Sequence, residues 1–511
     1  MNTHAGTSNS LWMATATRPE FTAVTQDDQA DVCIVGAGIA GLTTAYLLTQ
    51  AGKSVIVLDD GPIVSGDTER TTAHLSTVLD DRFVQLERRH GAEGAKWAHE
   101  SHAAAIDTIE RIVRAEQIDC DFERVDGYLF NSPDQPADQL DDELAAARRA
   151  GVTAAELVER APLPSFDTGR ALLLPRQAQF HPLKYLVALA RTIVRDGGRI
   201  FTSTHVTKID GGKSARVETE AGRVIACEAV VITTNTPVND RLVIHTKQAA
   251  YRSYVIGLAV PRGAGPKILC WDTADPYHYV RVASAGTTDI LIVGGEDHKT
   301  GQADDADARY SRLEQWTRAR FPLAGEVTYR WSGQVMEPYD GLAFIGANPL
   351  DHDNIYVATG FSGNGMTYGT IAGIVLTDLI GGRENPWAHL YRASRVALTA
   401  PAEFVKETAN MVAQYAHWLT AGEVEKDRMV PPGTGAIVRH GLTKVAVYHD
   451  ADGTFHECSA ICPHLRAIVT WNPAEKTWDC PAHGSRFDCR GQVLNGPANQ
   501  DLQPVALPAE V

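Results

Sequence analysis

The chain has 511 residues, 44% hydrophobic and 22% charged, enough for two or three domains with sizeable cores. Its formal net charge is −16 and Lys and Arg never run beyond a pair, which argues against nucleic acid or an anionic membrane as partner. No stretch approaches the roughly 18 apolar residues of a membrane span.

Residues 1–27 lack the basic start and apolar core of a signal peptide and read as a loose polar arm. A short β-rich run at 31–35, a Gly-rich turn, a helical pattern through residue 50 and a second strand at 54–58 make a β-α-β unit. Helical patterns cover 83–115, 138–150 and 182–196, the last with Pro182 in its first turn. Strand-like runs follow at 199–209 and 228–233, and alternating, aromatic-rich segments between 250 and 300 predict an antiparallel sheet. A helix is expected over 304–320. A strand at 354–360 enters a second Gly-rich turn that opens a helix to about residue 380, and 388–420 is helical again. VPPGTG at 430–435 marks entry into a region of short strands and turns.

Gly36, Gly38 and Gly41 have the G-x-G-x-x-G spacing between a strand and a helix. The first permits a tight turn, the second lets backbone approach a pyrophosphate, and the third lets helix and strand pack closely. The helix start presents its amides to phosphate, and Asp59 ends the second strand where a carboxylate accepts from a ribose. The turn at 360–369, GFSGNGMTYG, lets backbone pass a flat ring and aims a helix N-terminus at it. No second nucleotide motif follows in mid-chain, which disfavours a reductase driven by NAD(P)H.

The N-terminal unit, SGDTERTTAH at 65–74, VVITTNTP at 230–237, RWSGQVMEPYDGLAFIG at 330–346 and the 360–369 turn together resemble the FAD-dependent amine and amino-acid oxidoreductases of the D-amino-acid oxidase, glycine oxidase and sarcosine oxidase type. The resemblance covers roughly residues 28–385. It implies a Rossmann-like α/β FAD domain in pieces (28–80, 175–240 and 325–385) with an inserted antiparallel-sheet substrate domain of α+β type (81–174 and 241–324). The implied FAD contacts are Gly36, Gly38, Ile39, Ala40 and Gly41, then Asp59 and Asp60, then Arg70, Thr71, Thr72, Ala73 and His74. Val206, Thr234, Gly333, Asp340, Gly360, Gly363, Asn364, Gly365, Met366 and Thr367 complete the set, with 70–73 and 363–367 beside the isoalloxazine. Family enzymes linked to flavin through a His space it differently from His74. The resemblance also puts the sheet of Tyr277, Tyr279 and Arg281 over the flavin, so these and Arg252 are expected substrate contacts: rings for an amine, an Arg for a carboxylate.

In CPHLRAIVTWNPAEKTWDCPAHGSRF, residues 462–487, each Cys is paired with its own His on its own loop: Cys462 with His464, Cys480 with His483. Two such loops suit a two-iron centre with thiolates on one iron and imidazoles on the other, and the stretch resembles the Rieske [2Fe–2S] family; a zinc site or a lost site is the alternative. An all-β Rieske domain is expected over 428–511, after a helical connector at 386–427. The positions matching the inter-loop disulfide of high-potential members are Ala467 and Ala482. Ser485 matches a serine that hydrogen-bonds a bridging sulfide, and Phe487 replaces a tyrosine, so a potential low in the roughly −150 to +300 mV Rieske range follows.

His99 and His102 lack a carboxylate to complete an iron triad and read as surface histidines; Cys33, Cys120, Cys227, Cys270, Cys458 and Cys489 read as small buried residues. The expected protein is a cytoplasmic oxidoreductase that takes hydride from an amine or amino acid onto FAD. It passes single electrons through the cluster to an acceptor protein or O₂, with no catalytic side chain assigned. The alternatives are a peroxide-producing amine oxidase with a structural Rieske domain and a non-catalytic electron-transfer partner.

Overall fold

A computed structural model of the chain describes residues 6–136, 138–239, 244–395, 401–441 and 443–505. The β-α-β unit forms as Asp28–Val35, the helix Ile39–Gln50 and Val55–Leu58. It nucleates a sheet ordered Phe344–Ala347, Ile355–Thr359, Val224–Ile232, Asp28–Val35, Val55–Leu58, Arg199–Phe201, parallel except at the Phe344–Ala347 edge. The apolar runs of its inner strands are covered by the packed helices Ile39–Gln50 and Gly365–Ile380. The run expected as one strand at 199–209 is two. Ser203 adopts φ +50°, and the chain turns there from Arg199–Phe201 into Val206–Asp210, which pairs antiparallel with Ala215–Thr219.

The second sheet is ordered Val327–Pro338, Gln248–Pro261, Thr288–Lys299, Tyr279–Ala285, Ile268–Asp272, Glu123–Phe130, Ala171–Gln179, His74–Leu75. It is antiparallel apart from the parallel pairing of Ile268–Asp272 with Glu123–Phe130. The helix expected at 83–115 spans Arg82–Ala115, broken at Gly91, whose φ is +73°. The stretch 388–420 is not one helix: Ala388–Tyr391 and Pro401–Gln414 are separate, and 396–400 lie outside the described residues.

The C-terminal region has two antiparallel sheets, Thr434–His440, Thr443–His449, Phe455–Ser459 and Thr470–Asn472, Thr477–Asp479, Arg486–Asp488, Val493–Asn495. Trp478, Phe487, Ile437 and Ile468 fill a core of its own. The described part of the segment before residue 28, from residue 6 on, is not loose. Ser10 caps the helix Leu11–Thr15, Leu11 and Trp12 are buried, and the Trp12 indole donates to the Thr71 carbonyl at 2.6 Å. Two apolar anchors suffice to dock a segment that is polar on average. Among the described residues no helix is long and apolar enough to cross a membrane.

Candidate functional site

A cavity of about 350 Å³ runs from the glycine turn to the inserted sheet. Gly36 has φ +106°, and a Cβ there would lie 2.6 Å from the Thr233 carbonyl oxygen; one on Gly41 would lie 1.8 Å from the Gly36 carbonyl oxygen. Only glycine lets this turn close beneath the helix Ile39–Gln50, whose first amides then face the cavity. Asp59 holds the turn from the opposite side, accepting from Ala37 N at 2.6 Å and Gly61 N at 2.8 Å. Burial and the neighbouring Asp60 raise its carboxyl above the usual range.

Of the residues expected at FAD, the cavity wall contains Gly36, Gly38, Ile39, Ala40, Asp59, Asp60, Arg70, Thr71, Thr72, His74, Val206, Thr234, Gly333, Gly363, Asn364, Gly365 and Met366. Gly41 packs behind the turn, and Ala73 and Gly360 also stand back from the wall. Asp340 is turned to Arg395, 2.6 Å away, which draws its carboxyl down against the effect of burial. Thr367 is turned to His102, whose Nδ1 lies 2.8 Å from its hydroxyl. His102 is thus no surface histidine: it is fully buried with its ring edge-on to Tyr368, and burial pushes it down to about 3. His99 is half-buried. His74 is likewise neutral, lowered to about 3 by burial and then by Arg281.

Tyr277 and Tyr279 line the cavity; Arg252 and Arg281 do not. The Arg281 guanidinium donates to the carbonyls of Thr72, Ala73 and Phe180 and lies over the Trp12 ring, which holds the 70–74 segment in place. Arg252 donates to Ser332 Oγ at 2.6 Å and faces Glu475 of the C-terminal region at 3.8 Å. Alternation along a strand does not say what waits on either face.

Arg70 points the same way. Arg70 borders the cavity, yet its guanidinium reaches Gly6, Ser8, Ser332 and Glu475, the last at 3.4 Å. Glu475 is fully buried, and Arg70, Arg252 and Arg486 overcome the cost of burial to hold its carboxyl down at about 2. This network joins the N-terminal arm, the FAD-side turn, the inserted sheet and the C-terminal region. Its acid sits in the spacer between the two Cys–His loops, where ligand spacing gives no signal.

The C-terminal region also completes the cavity wall with Val493, Leu494, Asn495, Gly496, Ala498 and Asn499. Asn495 and Asn235 both donate to Asp67 Oδ2, at 2.8 and 3.0 Å, and Asn499 donates to the Val206 carbonyl at 3.2 Å. Sequence patterning pointed to none of these.

The two Cys–His loops meet at the base of the C-terminal region. Cys462 and Cys480 are buried and their sulfurs share a hydrogen bond. That bond, the amides of His464 and Leu465, and the Ser485 hydroxyl favour the Cys462 thiolate. The rings of His464 and His483 stand edge to face, 5.0 Å between centroids, and neither ring nitrogen of buried His483 has a hydrogen-bond partner within the protein. Among the described residues no three Cys, His, Asp or Glu side chains converge as for a single ion. A thiol pair beside an imidazole pair supplies two ligands for each iron of a two-iron centre. All eight cysteines are free, Ala467 is buried, and Phe487 fills the core with no hydroxyl to offer. The connector braces the first loop: Tyr415 Oη donates to the Leu465 carbonyl at 2.7 Å and the Trp418 indole to that of Arg466 at 2.9 Å.

One side chain belongs to both sites. Gln334 lines the cavity, its backbone N–H donates to Asp67 at 2.9 Å, and its Nε2 donates at 2.9 Å to the carbonyl of Gly484, next to His483.

The model of the FAD dependent oxidoreductase family matches residues 31–379, and that of the Rieske [2Fe-2S] domain matches 420–506. YhfW of Bacillus subtilis is 32% identical over 501 residues, 97% of each chain. Gamma-glutamylputrescine oxidoreductase of Escherichia coli is 26% identical over 377 residues, 71% of this chain and 86% of its own. The crystal structure of glycine oxidase from Geobacillus kaustophilus superposes with a TM-score of 0.61 at 18% identity, covering 72% of this chain and all of that one. The glycine turn with its open helix end fits FAD, and the paired loops fit the cluster: the chain belongs to the FAD dependent oxidoreductase family, carries a C-terminal Rieske domain, and uses FAD and a [2Fe–2S] cluster as its cofactors.

Proposed function

We propose that the protein oxidises a C–N bond of an amine or amino acid and passes the electrons singly through the Rieske cluster. FAD, when bound, accepts hydride from the carbon beside the nitrogen, and the cluster carries one electron at a time. The chain's own residues bind, orient and seal. Gly36 and Gly38 with the following helix amides would hold the pyrophosphate, Asp59 the ribose, and Thr71, Thr72, His74 and Gly363–Met366 the ring. The inserted sheet, with Tyr277 and Tyr279, covers the substrate. The Val493–Asn499 segment closes the wall, so that undocking of the Rieske domain and opening of the cavity are one event.

The observation that carries the reading is Gln334, a single side chain connecting the cavity wall to the loop of a cluster ligand. The gamma-glutamylputrescine oxidoreductase and glycine oxidase relatives support a C–N bond as the one oxidised. The test is anaerobic mixing of the fully loaded protein with a panel of amines and amino acids, followed by flavin absorbance and by electron paramagnetic resonance of the cluster. Flavin bleaching followed by a reduced-cluster signal is expected. Gln334→Ala should slow the second event and leave the first unchanged. A cluster that stays oxidised after the flavin bleaches would sink the electron path and favour a peroxide-producing oxidase.

A further inference from the structure

Three carboxylates from different elements line the cavity on its substrate side: Asp80, Asp297 on Thr288–Lys299 and Glu337 on Val327–Pro338. Asp80 accepts from Gly363 N at 2.7 Å and from Tyr277 Oη at 3.1 Å. Oδ1 of Asp297 is buried and accepts no hydrogen bond within the protein. Desolvation raises all three carboxyls, Asp297 to about 7, and repulsion adds to it, from Asp81 on Asp80, from Asp80 on Asp297, and from Asp80 and Asp297 on Glu337.

Among the described residues no cation is paired directly with any of the three. The basic side chains in the wall are Arg70, Arg82, His74 and His205. Arg70 is spent on Glu475 and the N-terminal arm. Arg82 acts on buried Glu143, and its Nη1 is buried without a hydrogen-bond partner. His205 pairs with Asp60 at 3.5 Å, and His74 is neutral. Arg309, the cation that acts on Asp297, is held by Asp305 at 2.7 Å and by the Glu296 carbonyl. The two arginines that would have met a substrate carboxylate, Arg252 and Arg281, are committed elsewhere.

Carboxylates lining an open cavity beside aromatic rings are complementary to positive charge. Tyr277 and Tyr279 stand 5.5 Å apart beside them. We propose that the substrate is a di- or polycationic amine without an α-carboxylate, one ammonium held by Asp80, Asp297 and Glu337 against the tyrosine rings while a second, neutral nitrogen presents the bond to be oxidised. The proposal rests on the C–N oxidation proposed above and names its substrate class.

The test titrates the FAD-loaded full chain anaerobically with 1,4-diaminobutane, spermidine, N-methylglycine and L-proline, reading both the perturbation of flavin absorbance on binding and the bleaching. The diamine and spermidine should bleach at far lower concentrations than the amino acids. Asp297→Asn, which keeps the shape and removes the charge, should weaken apparent affinity for 1,4-diaminobutane roughly 10- to 100-fold and change the limiting bleaching rate much less. Glu337→Gln should act in the same direction. The proposal is overturned if N-methylglycine or L-proline bleaches the flavin while 1,4-diaminobutane neither bleaches nor perturbs it, or if Asp297→Asn leaves the diamine's affinity unchanged. Saturable, Asp297-dependent perturbation by the diamine, with no bleaching by any panel member, would uphold the cation site and defeat C–N oxidation instead.

Discussion

At the junction of the domains Glu475 faces Arg70 at 3.4 Å and Arg252 at 3.8 Å and accepts from Ser332 at 2.5 Å, while Asp479 pairs with Arg486 at 3.2 Å. In the cavity wall Asp80, Asp297 and Glu337 have neutral donors at most, Gly363 N and Tyr277 on Asp80 and Ser253 on Asp297. Among the described residues no arginine is paired to them. Glu475 and Asp479 are fully buried, whereas Asp297 and Glu337 are half-buried and Asp80 is exposed at the cavity mouth, so desolvation weighs most on the first pair. In the first, opposite charges overcome it and Glu475 is held at about 2; in the second, repulsion adds to it and Asp297 rises to about 7. A neutralised network fixes how parts dock, since a displaced domain strands its charges. An unneutralised one holds its protons instead, and is open to a cationic ligand.

The largest effect should follow from breaking the neutralised side. Glu475→Gln leaves Arg70, Arg252 and Arg486 without their common acid, and uncompensated buried charge costs about 3–5 kcal/mol. Chemical unfolding of the loaded protein should show that loss, and the transfer of electrons from flavin to cluster should slow with it. The sign of the pH dependence is fixed by the lowered carboxyl. Glu475 stabilises the fold above the unfolded value of 4.5, and that stability is lost as pH falls toward about 2. The Gln variant should therefore have a flatter acid limb; an unchanged one would show that the network contributes nothing.

Asp297→Asn should move stability the other way. A carboxyl raised from 3.8 to about 7 binds its proton more tightly in the fold than in the unfolded chain, so it weakens the fold as pH rises through that window. Removing the charge from the substrate-free holoprotein should add about 1–2 kcal/mol at pH 8, the full shift being discounted for water in the cavity, and much less at pH 4. Unfolding free energies at the two pH values check this. One substitution that strengthens the fold and weakens amine binding separates a ligand site from a structural one.

What could be read from the sequence depended on how local the geometry is. The glycine turn closes on itself, and the four cluster ligands lie on two loops joined by a short hairpin, Thr470–Asn472 and Thr477–Asp479, so spacing carried the chemistry. Arg252 sits on a strand whose partner face is supplied by Glu475, far along the chain, and alternation cannot name a partner. His102 lies on a helix whose buried face is defined only once Gly365–Ile380 packs against it. Asp297 and Glu337 lie near the ends of their strands, where a charge is ordinarily solvated, so the sequence did not single them out. The buried docking of Trp12 was hidden by the polar composition around it.

The cluster loops hold buried negative charge in a third way, by neutral donors rather than by ions, and this allows the smallest and sharpest test. The amides of His464 and Leu465 are part of the loop fold, whereas the Ser485 hydroxyl toward Cys462 can be removed alone. Donors to sulfur stabilise the reduced, more negative cluster, so Ser485→Ala should lower its potential. A charge-assisted bond worth about 1.5 kcal/mol corresponds to roughly 60 mV for one electron. Phe487→Tyr, which offers a hydroxyl from the buried core, should shift it upward by no more than that. Redox titration followed by electron paramagnetic resonance reads both. If Ser485→Ala left the potential unmoved, the hydroxyl would be bound to the backbone alone, through Ala498 N at 3.0 Å, and dipolar tuning of the cluster would fall to the loop amides.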